Sequence, residues 1–282
     1  MSDLTYLKAL LLGIVQGLTE FLPVSSSGHL ALLQDRLHLD PDSPALLLFD
    51  VLAHVGTVIA VLIVFAGPLG RYVARLRREA SPMFRRRRYA LRIALLGVVA
   101  SVPTAGIGLA FKDTFEAAFA RPRWVAGGLL LTGLLLLLTL WVPRGRRGWG
   151  RFGGGRALLV GVAQGLAILP GLSRSGATIC TALYGGLRRR WAGEFSFFIA
   201  VPAILGATVL KLRDTWRLAP EVRAALPWGP LLLGAVVSLI VGVVALKWLL
   251  HTVRRGQLHW FALYVWMIGV LVLVAAPKEL TN

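Results

Sequence analysis

Apolar residues in this chain gather into continuous runs instead of alternating with polar ones. The runs fall at 44–66, 89–111, 124–142, 195–210, 228–250 and 260–276, with 195–210 and 260–276 the short ones. A helix rises ~1.5 Å per residue, so roughly 20 apolar residues cross a hydrocarbon core ~30 Å thick. Backbone inside lipid must satisfy its own hydrogen bonds, which leaves helices or a closed barrel. Barrel strands alternate apolar and polar positions, so continuous runs select helices. The pattern predicts an all-α integral membrane protein: a polytopic helical bundle of about six spans, forming one membrane domain over 1–282.

Two stretches do not read as simple spans. Positions 13–28 are GIVQGLTEFLPVSSSG and positions 161–176 are GVAQGLAILPGLSRSG. At a constant offset of 148 they share Gly, Gln, Gly, Leu, Ser, Ser and Gly. Each runs from an apolar helix through a proline and a serine-rich turn into a second short helix. Pro23 and Pro170 are expected to end the first helix of each piece, because proline lacks a donor and clashes with the preceding turn. Helix, break and helix together predict a re-entrant hairpin, which membrane depth tolerates only under cover of protein or water.

Charge then orients the bundle. Lys and Arg number 19 in the loops 67–92, 143–156, 186–191 and 251–259, against 9 in the alternate set 36–44, 112–123, 211–227 and the C-terminal tail. The positive-inside rule assigns the first set to the cytoplasm. That assignment works only if each hairpin returns to the side it enters from, the first from outside and the second from inside. The halves 1–142 and 156–282 then form inverted repeats whose broken helices meet near the midplane.

Composition adds exclusions. The chain is 56% hydrophobic and only 16% charged, with mean hydropathy +0.71. Its net charge of +18 would suggest nucleic acid in a soluble protein. Here the arginines sit between apolar runs, so no nucleic-acid partner is expected. One cysteine, Cys180, permits no intramolecular disulfide. Several apolar faces are compatible with a homodimer, but no motif specifies one.

The candidate chemistry lies in the two hairpins. Glu20 ends an apolar helix below the membrane surface, where ionisable groups are costly and usually functional. Gln16 lies four residues earlier on the same helix face. Ser25, Ser26, Ser27 and His29 follow in a turn that opens a short helix, whose free N–H groups and positive end suit phosphate. Serine needs a base to become a nucleophile, and His29 is placed to meet Ser26 across the first helical turn. The matching segment holds Ser173, Arg174, Ser175 and Thr178. A guanidinium grips phosphate bidentately, although pairing with Glu20 is its structural alternative. Arg174 stands at the repeat position of Ser26, a cation opposite a nucleophile. Asp50, His54 and Glu194 are further polar residues in spans, expected to hydrate or orient the site or to be satisfied within the bundle.

These motifs resemble one family, the bacterial undecaprenyl pyrophosphate phosphatases or bacitracin-resistance proteins. Its Glu/Gln-x-x-x-Glu motif is met by Gln16 and Glu20, followed by FLPVSSSGH, and its Pro-Gly-x-Ser-Arg-Ser-x-x-Thr motif by 170–178. The likeness covers essentially the whole chain. It implies removal of the terminal phosphate of a C55 polyprenyl diphosphate in the bacterial cytoplasmic membrane, recycling the lipid carrier for cell-wall synthesis. The arginine count, for its part, favours a site opening to the outer face. The implied catalytic residues are Glu20, Ser26, His29 and Arg174, with Gln16, Ser25, Ser27, Ser173, Ser175 and Thr178 binding substrate. A divalent cation, Mg or Ca, would fall to Glu20, but Gln16 supplies a neutral amide where a second carboxylate often stands. No organic cofactor is implied.

Two other classes compete. Inverted repeats with broken helices are the usual architecture of a transporter or lipid flippase for an anionic lipid or solute. A serine–histidine pair beside an arginine-rich phosphate motif is more than transport requires. The other membrane lipid-phosphatase signature, Lys-x6-Arg-Pro with Pro-Ser-Gly-His and Ser-Arg-x5-His, fails at all three of its motifs.

Overall fold

The computed structural model describes residues 4–78, 83–119, 121–148, 151–216 and 224–275. Helices follow in the order α1 Tyr6–Thr19, α2 Ser26–Arg36, α3 Pro44–Arg78, α4 Met83–Ala110, α5 Lys112–Phe119 and α6 Pro122–Leu138. A 3-10 turn, Thr139–Trp141, leads on to α7 Gly154–Leu166, α8 Arg174–Tyr184, α9 Arg189–Trp216, α10 Trp228–Arg255 and α11 Trp260–Ala275. Among the described residues, five helices are long and apolar enough to cross a membrane: 44–67, 91–110, 122–141, 189–209 and 228–255. The chain is a multi-pass membrane protein.

The sixth expected span, 260–276, is helical over Trp260–Ala275 as α11, its last position lying outside the described residues. The run expected at 195–210 is a longer helix, because the charged segment 189–194 continues the same turn pattern at its start. Both hairpins form. Their first helices stop before the prolines, at Thr19 and Leu166. The break is therefore a turn of several residues, with Pro23 and Pro170 inside it.

Small residues decide how the hairpins seat. Gly13 and Gly17 of α1 lie against α10, where a Cβ on Gly13 would stand 2.7 Å from Gly234 O and one on Gly17 2.8 Å from Ser238 O. Gly161 of α7 lies against α4 in the same way, 2.0 Å from Ala100 O, and Thr104 Oγ1 donates to Gly161 O at 2.9 Å. Without a hydrophobic drive between helices in lipid, such close backbone approach is what holds them. The contacts exchange across the repeat: α1 of the first half packs on α10 of the second, and α7 of the second on α4 of the first. The pairs α3–α9 and α6–α11 complete the pattern.

Described residues from the four Arg-rich segments meet at one end of the bundle. Arg147 pairs with Leu187 in an isolated bridge, Arg189 Nη1 donates to Arg255 O at 3.4 Å, and Arg92 Nη2 donates to Phe152 O at 3.5 Å. The opposite end is closed by a separate apolar cluster including Leu4, Leu39, Ala45, Leu226 and Leu231. The start of α1 lies at this second end, with the Tyr6 hydroxyl beside Gly229. The start of α7 lies at the Arg-rich end. The hairpins therefore enter from opposite ends, as the arginine distribution requires.

Candidate active site

The first arm of each hairpin is only 13 or 14 residues long, ~20 Å, and the second only 11, so the two tips meet inside the bundle. A Cβ on Gly176 would be 3.4 Å from Pro23, and one on Gly28 3.6 Å from Gly171 Cα. Ser175 Oγ donates to Leu22 O at 3.3 Å across the junction. The N-termini of α2 and α8, which begin at Ser26 and Arg174, converge there. Both present their positive dipole ends and first-turn N–H groups to one small region.

The two turns are capped alike. Ser25 Oγ accepts from Gly28 N at 3.4 Å and lies 3.4 Å from Ser27 Oγ. Ser173 Oγ accepts from Gly176 N at 3.1 Å and lies 3.2 Å from Ser175 Oγ. Ser25, Ser173 and Ser175 are buried, and their hydroxyls are engaged within the tips. Helix α6 braces the second tip: Thr132 Oγ1 donates to Gly171 O at 3.0 Å and accepts from Ser173 N at 2.9 Å. Gly171 adopts φ +83°, open to glycine, and a Cβ there would meet Val125 O at 1.9 Å. Thr178 Oγ1 is 2.8 Å from Arg174 O and 2.5 Å from Ser196 Oγ of α9.

Between the tips stands Glu20, 5% exposed. Arg174 Nη2 donates to its Oε1. Its Oε2 accepts from Ser26 Oγ at 2.8 Å and from Gln16 Nε2 at 3.1 Å, and His54 Nε2 lies 3.7 Å away. Sequence reasoning thus brings together Gln16, Glu20, Ser26 and Arg174. The structural alternative for Arg174 is realised as well, since the guanidinium does pair with Glu20. Its other terminal nitrogen, Nη1, is buried with no hydrogen-bond partner among the described residues. Ser26, Ser27 and His29 are half-buried at the edge of this cluster.

His29 does not meet Ser26. Its Nδ1 lies 2.8 Å from Ser25 O and its Nε2 2.9 Å from the Tyr264 hydroxyl of α11. The cause is local: one turn into α2, the ring reaches back to the carbonyl of the cap instead of sideways to the hydroxyl of Ser26. Of the secondary candidates, His54 reaches Glu20. Asp50 accepts from Gln34 Nε2 at 3.2 Å, which ties α3 to α2. Glu194 lies away from the site and accepts from Arg190 Nε at 2.9 Å near the Arg-rich end. Tyr264, Thr132 and Ser196 are the contributors that sequence reasoning missed. A tyrosine in an apolar span reads as an interfacial anchor, and a lone serine or threonine in a helix carries no signal.

A resident Mg or Ca ion fits these side chains poorly. Such ions take several oxygen ligands, commonly more than one carboxylate. Here one carboxylate is available, one of its oxygens is bound by a guanidinium, and the other already accepts two donors. Among the described residues, no three His, Cys, Asp or Glu side chains cluster as metal ligands do.

Comparisons with known proteins bear on the chain as a whole. A model of the family described as bacitracin resistance protein BacA matches residues 9–271. The undecaprenyl-diphosphatase of Halorhodospira halophila is 41% identical over 277 residues, covering 94% of this chain and 96% of that protein. The undecaprenyl-diphosphatase of Desulfatibacillum aliphaticivorans is 43% identical over 279 residues, covering 96% and 98%. That of Carboxydothermus hydrogenoformans is 43% identical over 267 residues, covering 95% and 96%. With its hairpin motifs, its membrane helices and this match over nearly its full length, the chain belongs to the bacitracin resistance protein BacA family.

Proposed function

We propose that this protein hydrolyses the phosphoanhydride bond of a polyprenyl diphosphate, undecaprenyl diphosphate above all, giving the lipid monophosphate and inorganic phosphate. The observation that carries the proposal is the connected set Ser26–Glu20–Arg174: a nucleophile, a base and a cation linked by hydrogen bonds where two helix N-termini meet. Phosphoryl transfer depends on positioning and charge stabilisation more than on covalent help.

In this reading Ser26 Oγ attacks the distal phosphorus and its proton passes to Glu20 Oε2, to which it is already bonded. The bond between that phosphorus and the bridging oxygen breaks, and the polyprenyl monophosphate leaves with the electron pair. Glu20 yields its proton to the leaving phosphate and, again a carboxylate, takes one from the water that attacks the phosphoserine. The bond between phosphorus and Ser26 Oγ then breaks, Glu20 returns that proton to Oγ, and inorganic phosphate departs. Arg174 Nη1 and the first-turn N–H groups of α2 and α8 hold the phosphate oxygens. Such preorganised donors contribute on the order of 3 kcal/mol each to the transition state. Gln16 orients Glu20. Ser25, Ser173, Ser175 and Thr178 act by shaping the tips that grip the diphosphate, and Ser27 faces the substrate beside Ser26. His29 assists at the edge of the site, and no step requires a metal.

The halves 1–142 and 156–282 are read as the two repeats. The Arg-rich end faces the cytoplasm of a bacterial inner membrane, and the site opens outward. The protein thereby recycles the carrier lipid for cell-wall synthesis, which relieves bacitracin sensitivity. The test is phosphate release from a long-chain polyprenyl diphosphate by purified protein, beside Ser26→Ala and Arg174→Ala, with and without chelator. Release by the parent and its loss in both variants are expected. A folded parent that releases no phosphate would turn the reading toward transport of an anionic lipid.

A further inference from the structure

His29 is held at both ring nitrogens, and the second contact reaches across most of the chain. The carbonyl of Ser25, 2.8 Å from Nδ1, can only accept, so Nδ1 carries a proton. In the neutral ring Nε2 then has its lone pair, and it faces the Tyr264 hydroxyl at 2.9 Å. The two rings stack at 5.6 Å with 15° between their planes. Ser25, which aims its carbonyl at the ring, sits at φ +70°, a strained value for a residue with a side chain. Two independent features, a strained cap and a distant phenol, therefore hold one imidazole.

We propose that Tyr264 is a positioning residue for His29, keeping its ring in one pose through both of its charge states. This rests on the phosphatase reading and on a part for His29 in it. A hydroxyl is suited to the task because it both donates and accepts. When the ring is neutral, Tyr264 donates to Nε2. When the ring is an imidazolium, both ring nitrogens donate, Nδ1 to Ser25 O and Nε2 to the phenol oxygen. Proton gain or loss at Nε2 then needs only a turn of the O–H, with no swing of the ring.

The phenol is itself fixed by helix packing. Trp266 Nε1 donates to Leu130 O of α6 at 2.9 Å, and its indole covers Gly133, where a Cβ would lie 2.3 Å from Nε1. Gly269 packs on Leu129 and Ala126 O of the same helix. Helix α6 also bonds the Arg174 tip through Thr132. One helix thus sets the register of both Arg174 and Tyr264.

The test compares phosphate release and thermal unfolding in the parent, Tyr264→Phe, His29→Ala and the double variant. Phenylalanine keeps the ring stack and removes only the hydroxyl. Tyr264→Phe is expected to lower kcat about tenfold with KM within about twofold, the pattern of a lost transition-state contribution. In the His29→Ala background the same change should cost nothing more, because coupled residues are non-additive. Parental kcat in Tyr264→Phe overturns the proposal, and so do losses that simply multiply in the double variant. A parent without phosphatase activity would overturn the function itself. An active parent whose His29→Ala variant keeps full rate would remove only the role of His29, and that of Tyr264 with it.

Discussion

One carboxylate, Glu20, receives Arg174, Ser26 and Gln16 as donors while almost wholly buried. Burying a charge is tolerated only when it is paired, and removing one partner of a buried pair typically costs ~3–5 kcal/mol. Glu20→Gln should therefore lower the melting temperature as well as abolish phosphate release, because it strands the Arg174 guanidinium. Glu20→Leu combined with Arg174→Met should recover much of that stability and none of the activity, a separation that thermal unfolding beside a turnover assay would read. Arg174→Lys is the subtler change. A single ammonium cannot hold Glu20 with one nitrogen and phosphate with another, so kcat should fall on the order of 100-fold with the charge retained.

At the scale of elements, two short hairpins depend on one long helix. Neighbouring glycines of α6 make the test. Gly128 faces the second tip, where a Cβ would stand 2.4 Å from Pro170 O and 2.6 Å from Leu172 N, whereas around Gly127 there is nothing within 4 Å. Alanine in a helix interior is favoured over glycine by up to about 1 kcal/mol, so Gly127→Ala should be neutral or stabilising. Gly128→Ala should push the tip from its seat and lose both activity and melting temperature. If the two variants behave alike, the tip is not seated by α6. Thr132→Val removes a donor to Gly171 O and an acceptor from Ser173 N while keeping the shape. It is expected to weaken activity more than folding, because the helix around it remains.

For the whole molecule, the exchange of α1 and α7 between halves means that neither half can close its own hairpin. The bundle has one Arg-rich end and one apolar-capped end. The only native cysteine, Cys180, is buried, so introduced cysteines can report sidedness without a reactive background. Asp40→Cys and Glu116→Cys should react with a membrane-impermeant thiol reagent on intact cells. Arg146→Cys and Arg188→Cys should react only after permeabilisation. Labelling of all four from outside would contradict the inverted arrangement.

The sequence alone determined the class of fold, because lipid removes alternatives: a continuous apolar run at membrane depth has to be helical. It also determined the broken helices, through repeated motifs at a fixed offset, and its arginine distribution set an expected orientation. Even the pairing of Glu20 with Arg174 was legible as an alternative, since two opposite charges inside a membrane have few other partners. What only the tertiary structure decided was the choice among partners that lie near one another along the chain. Ser26 turned to Glu20 and not to His29, because the ring of His29 is drawn to the cap carbonyl and to a tyrosine 235 residues away. Glu194 paired locally at one end of the bundle, although its helix serves the site through Ser196. Spacing along a chain specifies which side chains share a helix face. The direction that face meets depends on how helices cross, and here close contacts at glycines on distant segments set the crossings.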